Sequence, residues 1–411
     1  MTPDTRAAEA NLVHYRWFSA IVWTPFMLPI LVLFWQDNGL DMFEVYLLQG
    51  LFAIAVVLLE VPTGMVADRL GKRASLIAAC ATLFVSMCGY AMGTTFWHFL
   101  AAEIGTAVGA ALVSGADSAL LYDSLHKLGR ETEYTRHEGG ARGVQLVSFA
   151  LATLLGGVIG DYDLRAAMWA TVVGPFLAFF VALRFVEVAP PPATGDLRAA
   201  WRETMKLLRE SAYFVRRHRL VRWNVGVLAA LTGSASWLLW IYQPYMTFSG
   251  LPVWAFGIAF AIFNLWAAFA SRMSHDFRDR LGPRGALGAL AVLQAAPPLL
   301  MAMFVHPASF LFALGHQAVR GLGRPLITAE ILRHTYADKR ATVLSIASLC
   351  GRLFFALTAP LIGLVTERAD IPTSLVVQSG LLIGIAVWLG WRYRGIPAKY
   401  FTVKPEVQEH S

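Results

Sequence analysis

Charge is what this 411-residue chain lacks. Asp, Glu, Lys and Arg make up 15% of it, where a soluble protein carries about 25%, and 57% is hydrophobic. Cysteine is also scarce. Cys80, Cys88 and Cys350 all sit inside apolar runs without Cys-x-x-Cys or Cys/His ligand spacing, which excludes a disulfide framework and a zinc site and leaves them as small buried hydrophobes. No Gly-x-Ser-x-Gly, His-Glu-x-x-His or P-loop occurs, so neither an enzyme nor a metal or cofactor is expected. No small-residue cleavage site follows the polar residues 1–14, so the apolar run after them reads as a first membrane helix rather than a cleaved signal.

Long apolar runs are what the chain has in excess. Mean hydropathy is +0.55, carried by stretches about 20 residues long, the length that crosses a bilayer as a helix. The first six fall at 15–36, 42–66, 74–93, 97–121, 144–160 and 164–186. Six more fall at 221–248, 253–271, 286–305, 308–332, 341–365 and 372–393. The expected fold is all-α and integral to the membrane, with two six-helix bundles at 15–187 and 221–395. The flanking parts are an N-terminus at 1–14, a connector at 188–220 and a tail at 396–411.

The connector opens on Ala189-Pro190-Pro191-Pro192, which cannot continue a helix. Beyond it Trp201, Met205, Leu208, Ala212 and Val215 repeat at helical spacing. Arg198, Arg202, Lys206, Arg209, Arg216 and Arg217 are mostly on other faces, as in a helix lying on an anionic leaflet. The net charge of +7 needs no nucleic-acid partner. Only Arg165 and Arg368 fall in the loops of one face and Arg320, Arg324 and Arg352 fall within spans, so the other face holds the rest. By the positive-inside rule, that face and both termini are cytoplasmic in a multi-pass protein of the cell inner (plasma) membrane.

A motif recurs half a chain apart. After the second span the chain reads Gly64-Met65-Val66-Ala67-Asp68-Arg69-Leu70-Gly71-Lys72-Arg73, and after the eighth His275-Asp276-Phe277-Arg278-Asp279-Arg280-Leu281-Gly282-Pro283-Arg284. Duplication of a six-helix unit explains it. Here the sequence resembles the major facilitator superfamily, whose signature Gly-x-x-x-Asp-Arg-x-Gly-Arg-Arg lies between helices 2 and 3, with a degraded copy between helices 8 and 9. The resemblance implies a transporter working by alternating access, with substrate bound in a cavity between the halves. It also implies a cytoplasmic latch. Gly64 would permit close helix approach, Asp68 would meet the start of the eleventh helix near Asp338, and Lys72 or Arg73 would pair with Asp123. Glu60 would belong to this latch, and Asp279, Arg280, Gly282 and Arg284 form the second copy.

Ionisable groups deep in a membrane are costly and therefore functional candidates. Asp123, Glu330 and Arg272 lie close enough to span ends to reach the headgroups. Deeper are Glu103 and Asp117 in the fourth span, Arg352 in the eleventh, and His316, Arg320 and Arg324 at i, i+4 and i+8 in the tenth. Asp117 or Glu103 is the expected proton-coupling group, with the arginines as counter-charge or anion readers. Inter-helix salt bridges are the competing assignment, and a hydrogen-bonded interior histidine is the plainer role for His316. Trp23, Phe26, Trp237, Tyr242 and Asn264 are candidate cavity residues on helices 1, 7 and 8.

Two departures separate the chain from typical antiporters of the family. The fifth span ends Leu154-Leu155-Gly156-Gly157-Val158-Ile159-Gly160, without the Pro of the Gly-Pro-x-x-Gly-Gly element. The fourth reads Ala101-Ala102-Glu103-Ile104-Gly105, without the Arg of Arg-x-x-Gln-Gly. The expectation is proton-coupled efflux of a small amphiphilic or weakly acidic compound, drug-like or siderophore-like, by a monomer in the lipid bilayer. The alternatives are an uptake symporter for an organic anion and a transport-dead sensor or lipid-handling protein.

Overall fold

A computed structural model describes residues 3–188 and 197–394, except for the side chains at 3–4, 61–62, 64–70, 197–200 and 283. Regular structure within the described residues is entirely helical. Helices α1 (Pro3–Ile21), α2 (Leu31–Asp37), α3 (Met42–Leu70), α4 (Lys72–Met92), α5 (Phe96–Val113), α6 (Ala116–Lys127), α7 (Tyr134–Tyr162) and α8 (Leu164–Arg184) make the first half. Then come α9 (Leu197–Arg217), α10 (Arg219–Phe248), α11 (Trp254–Arg272), α12 (Ser274–Met303), α13 (Ala313–Arg333), α14 (Arg340–Arg368) and α15 (Ile371–Arg394). Ten helical segments among the described residues are long and apolar enough to cross a membrane. The remaining two crossings of the twelve are a broken first helix and the charge-bearing α13.

The first crossing breaks between α1 and α2 because Pro25 removes a donor and disfavours the α conformation at Thr24. The freed groups find side chains: Thr24 Oγ1 donates to Ile21 O at 3.0 Å, and Met27 N donates to Thr171 Oγ1 at 2.9 Å. The fourth crossing breaks between α5 and α6, where Gly115 takes φ +86°, open to glycine and strained for other residues. The fifth helix starts at Tyr134, well before the apolar run that begins at 144. Its polar first turns are helical because His137 and Ala141 are buried against the bundle, so hydropathy alone misses them.

The chain divides into two compact units. Unit 1 comprises 1–197 with 252–261, and unit 2 comprises 198–251 with 262–411. The core of unit 1 gathers Leu12 and Phe18 of α1, Leu76 and Leu83 of α4, Leu120 of α6 and Phe185. Small residues let its helices touch: a Cβ on Gly156 of α7 would overlap the Phe26 carbonyl. In unit 2, Val225 and Val227 of α10, Ile331 of α13 and Val343 of α14 pack together, and Val215 of α9 joins them.

The connector helix α9 is thus docked on unit 2. Its inward face is Ser211 and Val215, while Trp201 is 43% exposed. The Phe214 ring lies 5.7 Å from that of Tyr336, and Lys339 Nζ lies 5.7 Å from the Phe214 centroid. His218, after α9, stands 6.4 Å ring to ring from His334. The proline run and residues 395–411 lie outside the described residues.

Gly156→Ala is expected to lower stability by about 1–3 kcal/mol through overpacking, whereas Gly139→Ala on the same helix, where a Cβ meets open space, should not. Thermal unfolding of the two detergent-solubilised variants checks this. Burial and the neighbouring His334 hold the His218 imidazole below the usual histidine range, so it protonates less readily in the fold than in the unfolded chain, which does so near 6.5. Its stabilising contribution is full above about pH 6.5 and declines as pH falls below that value. The melting temperature should drop less between pH 7.5 and 5.5 in His218→Gln than in the parent protein, all four melting temperatures being read in one buffer series.

Candidate functional site

Each unit holds a polar cluster inside its apolar frame. In unit 1, Glu103 on α5 is 5% exposed and accepts hydrogen bonds from Gln49 Nε2 of α3 and the Tyr90 hydroxyl of α4. Tyr90 is itself fixed by Phe99, stacked at 6.1 Å. Neutral donors therefore surround this carboxyl, and no cation pairs with it among the described residues. The arrangement ties α3, α4 and α5 together and seals the acid from water.

A second acidic cluster lies at the break in the fourth crossing. Asp117 occupies the first turn of α6, where unpaired backbone N–H groups favour an anion, and accepts from Ser118 N at 2.7 Å. Close by is Glu138 of α7, which takes a hydrogen bond from the Tyr15 hydroxyl. Ser118 Oγ is 3.4 Å from Glu138 Oε1, and Arg142 Nε is 3.5 Å from the same oxygen. Glu138 thus meets Tyr15, Ser118 and Arg142, and the half-buried Asp117 joins the cluster through Ser118.

In unit 2 the centre is Arg320 on α13. Its guanidinium donates to Gln317 Oε1 at 2.9 Å and to Asn264 Oδ1 of α11 at 2.7 Å. Both acceptors are neutral, so two of its five N–H donors are committed and its charge is not balanced by any carboxylate among the described residues. His316, one turn earlier, is buried. Its Nδ1 is hydrogen-bonded to the Tyr242 hydroxyl of α10, and its Nε2 has no partner.

The other candidates lie apart from these centres. Arg324 is exposed on α13, as Arg320 is, but the hydrogen bonds of Arg320 run to Gln317 and Asn264. Arg352 is half-buried on α14. Trp237 serves helix packing, donating to Thr358 Oγ1 at 2.9 Å and stacking on Phe354. Trp23 and Phe26 are half-buried beside the break in the first crossing. Sequence reading missed Glu138, Arg142, Gln49, Tyr90 and Gln317. The first two fell in a stretch taken for a loop, and the others are common polar residues without a spacing signature.

At the motif, Gly71 takes φ +88° between α3 and α4, and Lys72 Nζ meets the Asp123 carboxylate of α6. Arg73 turns to the end of α8, its backbone N–H donating to Glu187 Oε2 at 2.9 Å and its guanidinium to Leu183 O at 3.0 Å. The side chains of Gly64, Asp68 and Arg69 lie outside the described residues, and Glu60 is exposed on α3. In the second copy Gly282 kinks α12 at φ +67°, His275 pairs with its helix neighbour Asp279 at 2.9 Å, and Arg280 is exposed. The inter-helix ion pair there comes from Arg278, 2.8 Å from Glu330 of α13, which also meets Arg333 and His334. Arg284 lies 5.8 Å over the Tyr393 ring.

Ten membrane-length apolar helical segments among the described residues, a repeated turn motif and a polar cluster in each unit are features of a membrane transporter. The model of the Major Facilitator Superfamily matches residues 16–329, and the chain belongs to that family: it is a membrane transporter rather than an enzyme. Among curated proteins it is similar to the uncharacterized MFS-type transporter YxaM of Bacillus subtilis, 19% identical over 393 residues, covering 93% of this chain and 92% of that one. It also matches the uncharacterized MFS-type transporter MJ1560 of Methanocaldococcus jannaschii, 25% identical over 146 residues; this stretch is 35% of the chain and only 36% of that protein. Among solved structures the nucleoside transporter NupG superposes with a TM-score of 0.74 at 13% identity, over 96% of this chain and 100% of that one. A bacterial homolog of the human lysosomal transporter Spinster gives 0.67 at 14%, over 95% and 96%. These likenesses carry the fold.

Glu330→Gln is expected to release Arg278 and Arg333 together and to cost about 0.5–1 kcal/mol, the range for partly exposed pairs. Faster amide exchange over residues 274–281, with exchange in α10 unchanged, is the measurement that checks it.

Proposed function

We propose that this transporter exports a small amphiphilic or weakly acidic organic compound in exchange for protons, as a monomer in the cell inner membrane with both termini in the cytoplasm. The observation that carries the substrate class is Arg320: a guanidinium held in place by Gln317 and Asn264, with donors left over and no carboxylate to neutralise it among the described residues. A carboxylate or phosphate on a substrate complements that fork. Tyr242 and His316, buried one turn away, brace α13 against α10 and hold the arginine's helix in place.

The proton belongs in this reading to the Asp117 and Glu138 pair. Asp117 sits at the break beside Ser118, with Glu138, Tyr15 and Arg142 in the same cluster, where a change in its charge would alter contacts among α1, α6 and α7. Half-burial leaves Asp117 reachable, whereas Glu103 is sealed by Gln49 and Tyr90 and suits a structural role. Export is the direction that needs work for a weak acid, because its neutral form re-enters and ionises in the more alkaline compartment. Basic residues concentrated on one face support the orientation.

Uptake of an organic anion with protons uses the same arginine, and the direction of flux decides between the two. In proteoliposomes with an imposed pH gradient, substrate should move against the proton flow. Asp117→Asn and Glu138→Gln should abolish the gradient dependence while leaving the protein folded. Arg320→Ala should weaken acidic substrates by about 10–100-fold and neutral analogues little, as expected for a lost charge-assisted hydrogen bond. Unchanged pH dependence in both carboxyl variants would remove the pair from the mechanism, and co-directional flux would establish symport.

A further inference from the structure

Two cavities at the end of unit 2 where α15 terminates share Trp223, Leu389 and Arg394. One, about 360 Å³, is a slot between α10, α12 and α15 walled by Val227, Leu231, Leu290 and Ile385. It runs from Arg284 and Arg394 to Gln294, which closes the far end by donating to Ser234 Oγ at 3.1 Å. Arg284 to Gln294 is roughly 15 Å of helix, the depth of one leaflet in a hydrocarbon core about 30 Å thick. The other cavity, about 810 Å³, opens beside it and is lined by Arg219, Arg222 and Arg392 with Trp388 and Trp391.

None of these five arginines pairs with a carboxylate among the described residues. Arg222 donates to Arg216 O at 2.8 Å, Arg284 lies over Tyr393, and Arg392 lies 5.7 Å over Trp388. Five cations and an aromatic belt at the membrane surface, above an apolar slot one leaflet deep, match a phospholipid in both charge and shape. We propose that this groove holds an anionic phospholipid of the adjoining leaflet, its phosphate on Arg284 and Arg394 and one acyl chain in the slot. A zwitterionic headgroup brings an ammonium that the same five cations repel. The bound lipid joins α10, α12 and α15 and stabilises unit 2 by binding its folded form.

The test uses the full-length protein equilibrated with mixed phosphatidylglycerol and phosphatidylcholine vesicles, and bound lipid is counted by native mass spectrometry. Preferential retention of phosphatidylglycerol is expected. Arg284→Gln with Arg394→Gln should weaken it about 30-fold, from about 1 kcal/mol per basic residue. Gly288→Phe, at a position where a Cβ meets open space in the slot wall, should block the acyl chain and lower retention similarly. Arg219→Gln with Arg392→Gln is read in the same way should the first pair fail to fold, as judged by circular dichroism. Equal retention of the two lipids, or unchanged affinity in the folded variants, overturns the proposal. So does displacement by inorganic phosphate alone, which would make this a free-anion site. A tenfold gain in lipid on removing residues 395–411 would assign the groove to the chain's own tail and overturn it as well.

Discussion

Within hydrocarbon every backbone N–H and C=O needs a partner, and that constraint governs this molecule more than any single side chain does. Most of the chain meets it by staying helical. The departures are few, and each is supported. The break in the first crossing is satisfied by Thr24 and Thr171, and the break in the fourth rests on a glycine at φ +86°. The second break matters for chemistry because it creates a new helix start within the membrane segment. Asp117 occupies that start, so the backbone irregularity and the acid are one feature seen from two sides.

Charge within the apolar helices is treated differently in the two units. Unit 1 surrounds Glu103 with neutral donors and gathers Asp117, Glu138, Arg142 and Tyr15 into a mixed cluster. Unit 2 holds its arginine on amide oxygens. An amide positions a guanidinium without cancelling its charge, while a carboxylate would cancel it. The choice of Gln317 and Asn264 therefore keeps Arg320 electrostatically available, and a substrate carrying an acidic group gains what a salt bridge within the protein would have consumed.

The architecture was legible in the sequence because length, hydropathy and a repeated motif are long-range signals that survive local error. The twelve apolar runs and the Asp-Arg-Leu-Gly repeat located the crossings and the family. The start of the fifth helix was not legible, since a polar stretch with two glycines at 139 and 140 has no apolar run to announce it, and Glu138 was lost with it. Arg320 and Asp117 stood out as charges in apolar surroundings. Their partners did not, because Gln, Asn, Ser and Tyr are common and a hydrogen bond across helices leaves no periodic trace. The ion pair at the second motif copy shows the same limit: the interacting residue is Arg278, two positions before the arginine that the motif marks.

The docking of α9 has a practical meaning. Ser211 and Val215 fix the helix to unit 2, while Leu207 and Tyr213 remain exposed on it. An optical label attached at position 207 or 213 would follow unit 2 as a rigid body. The connector thereby offers a handle for watching one half of the transporter turn without placing a probe in the membrane.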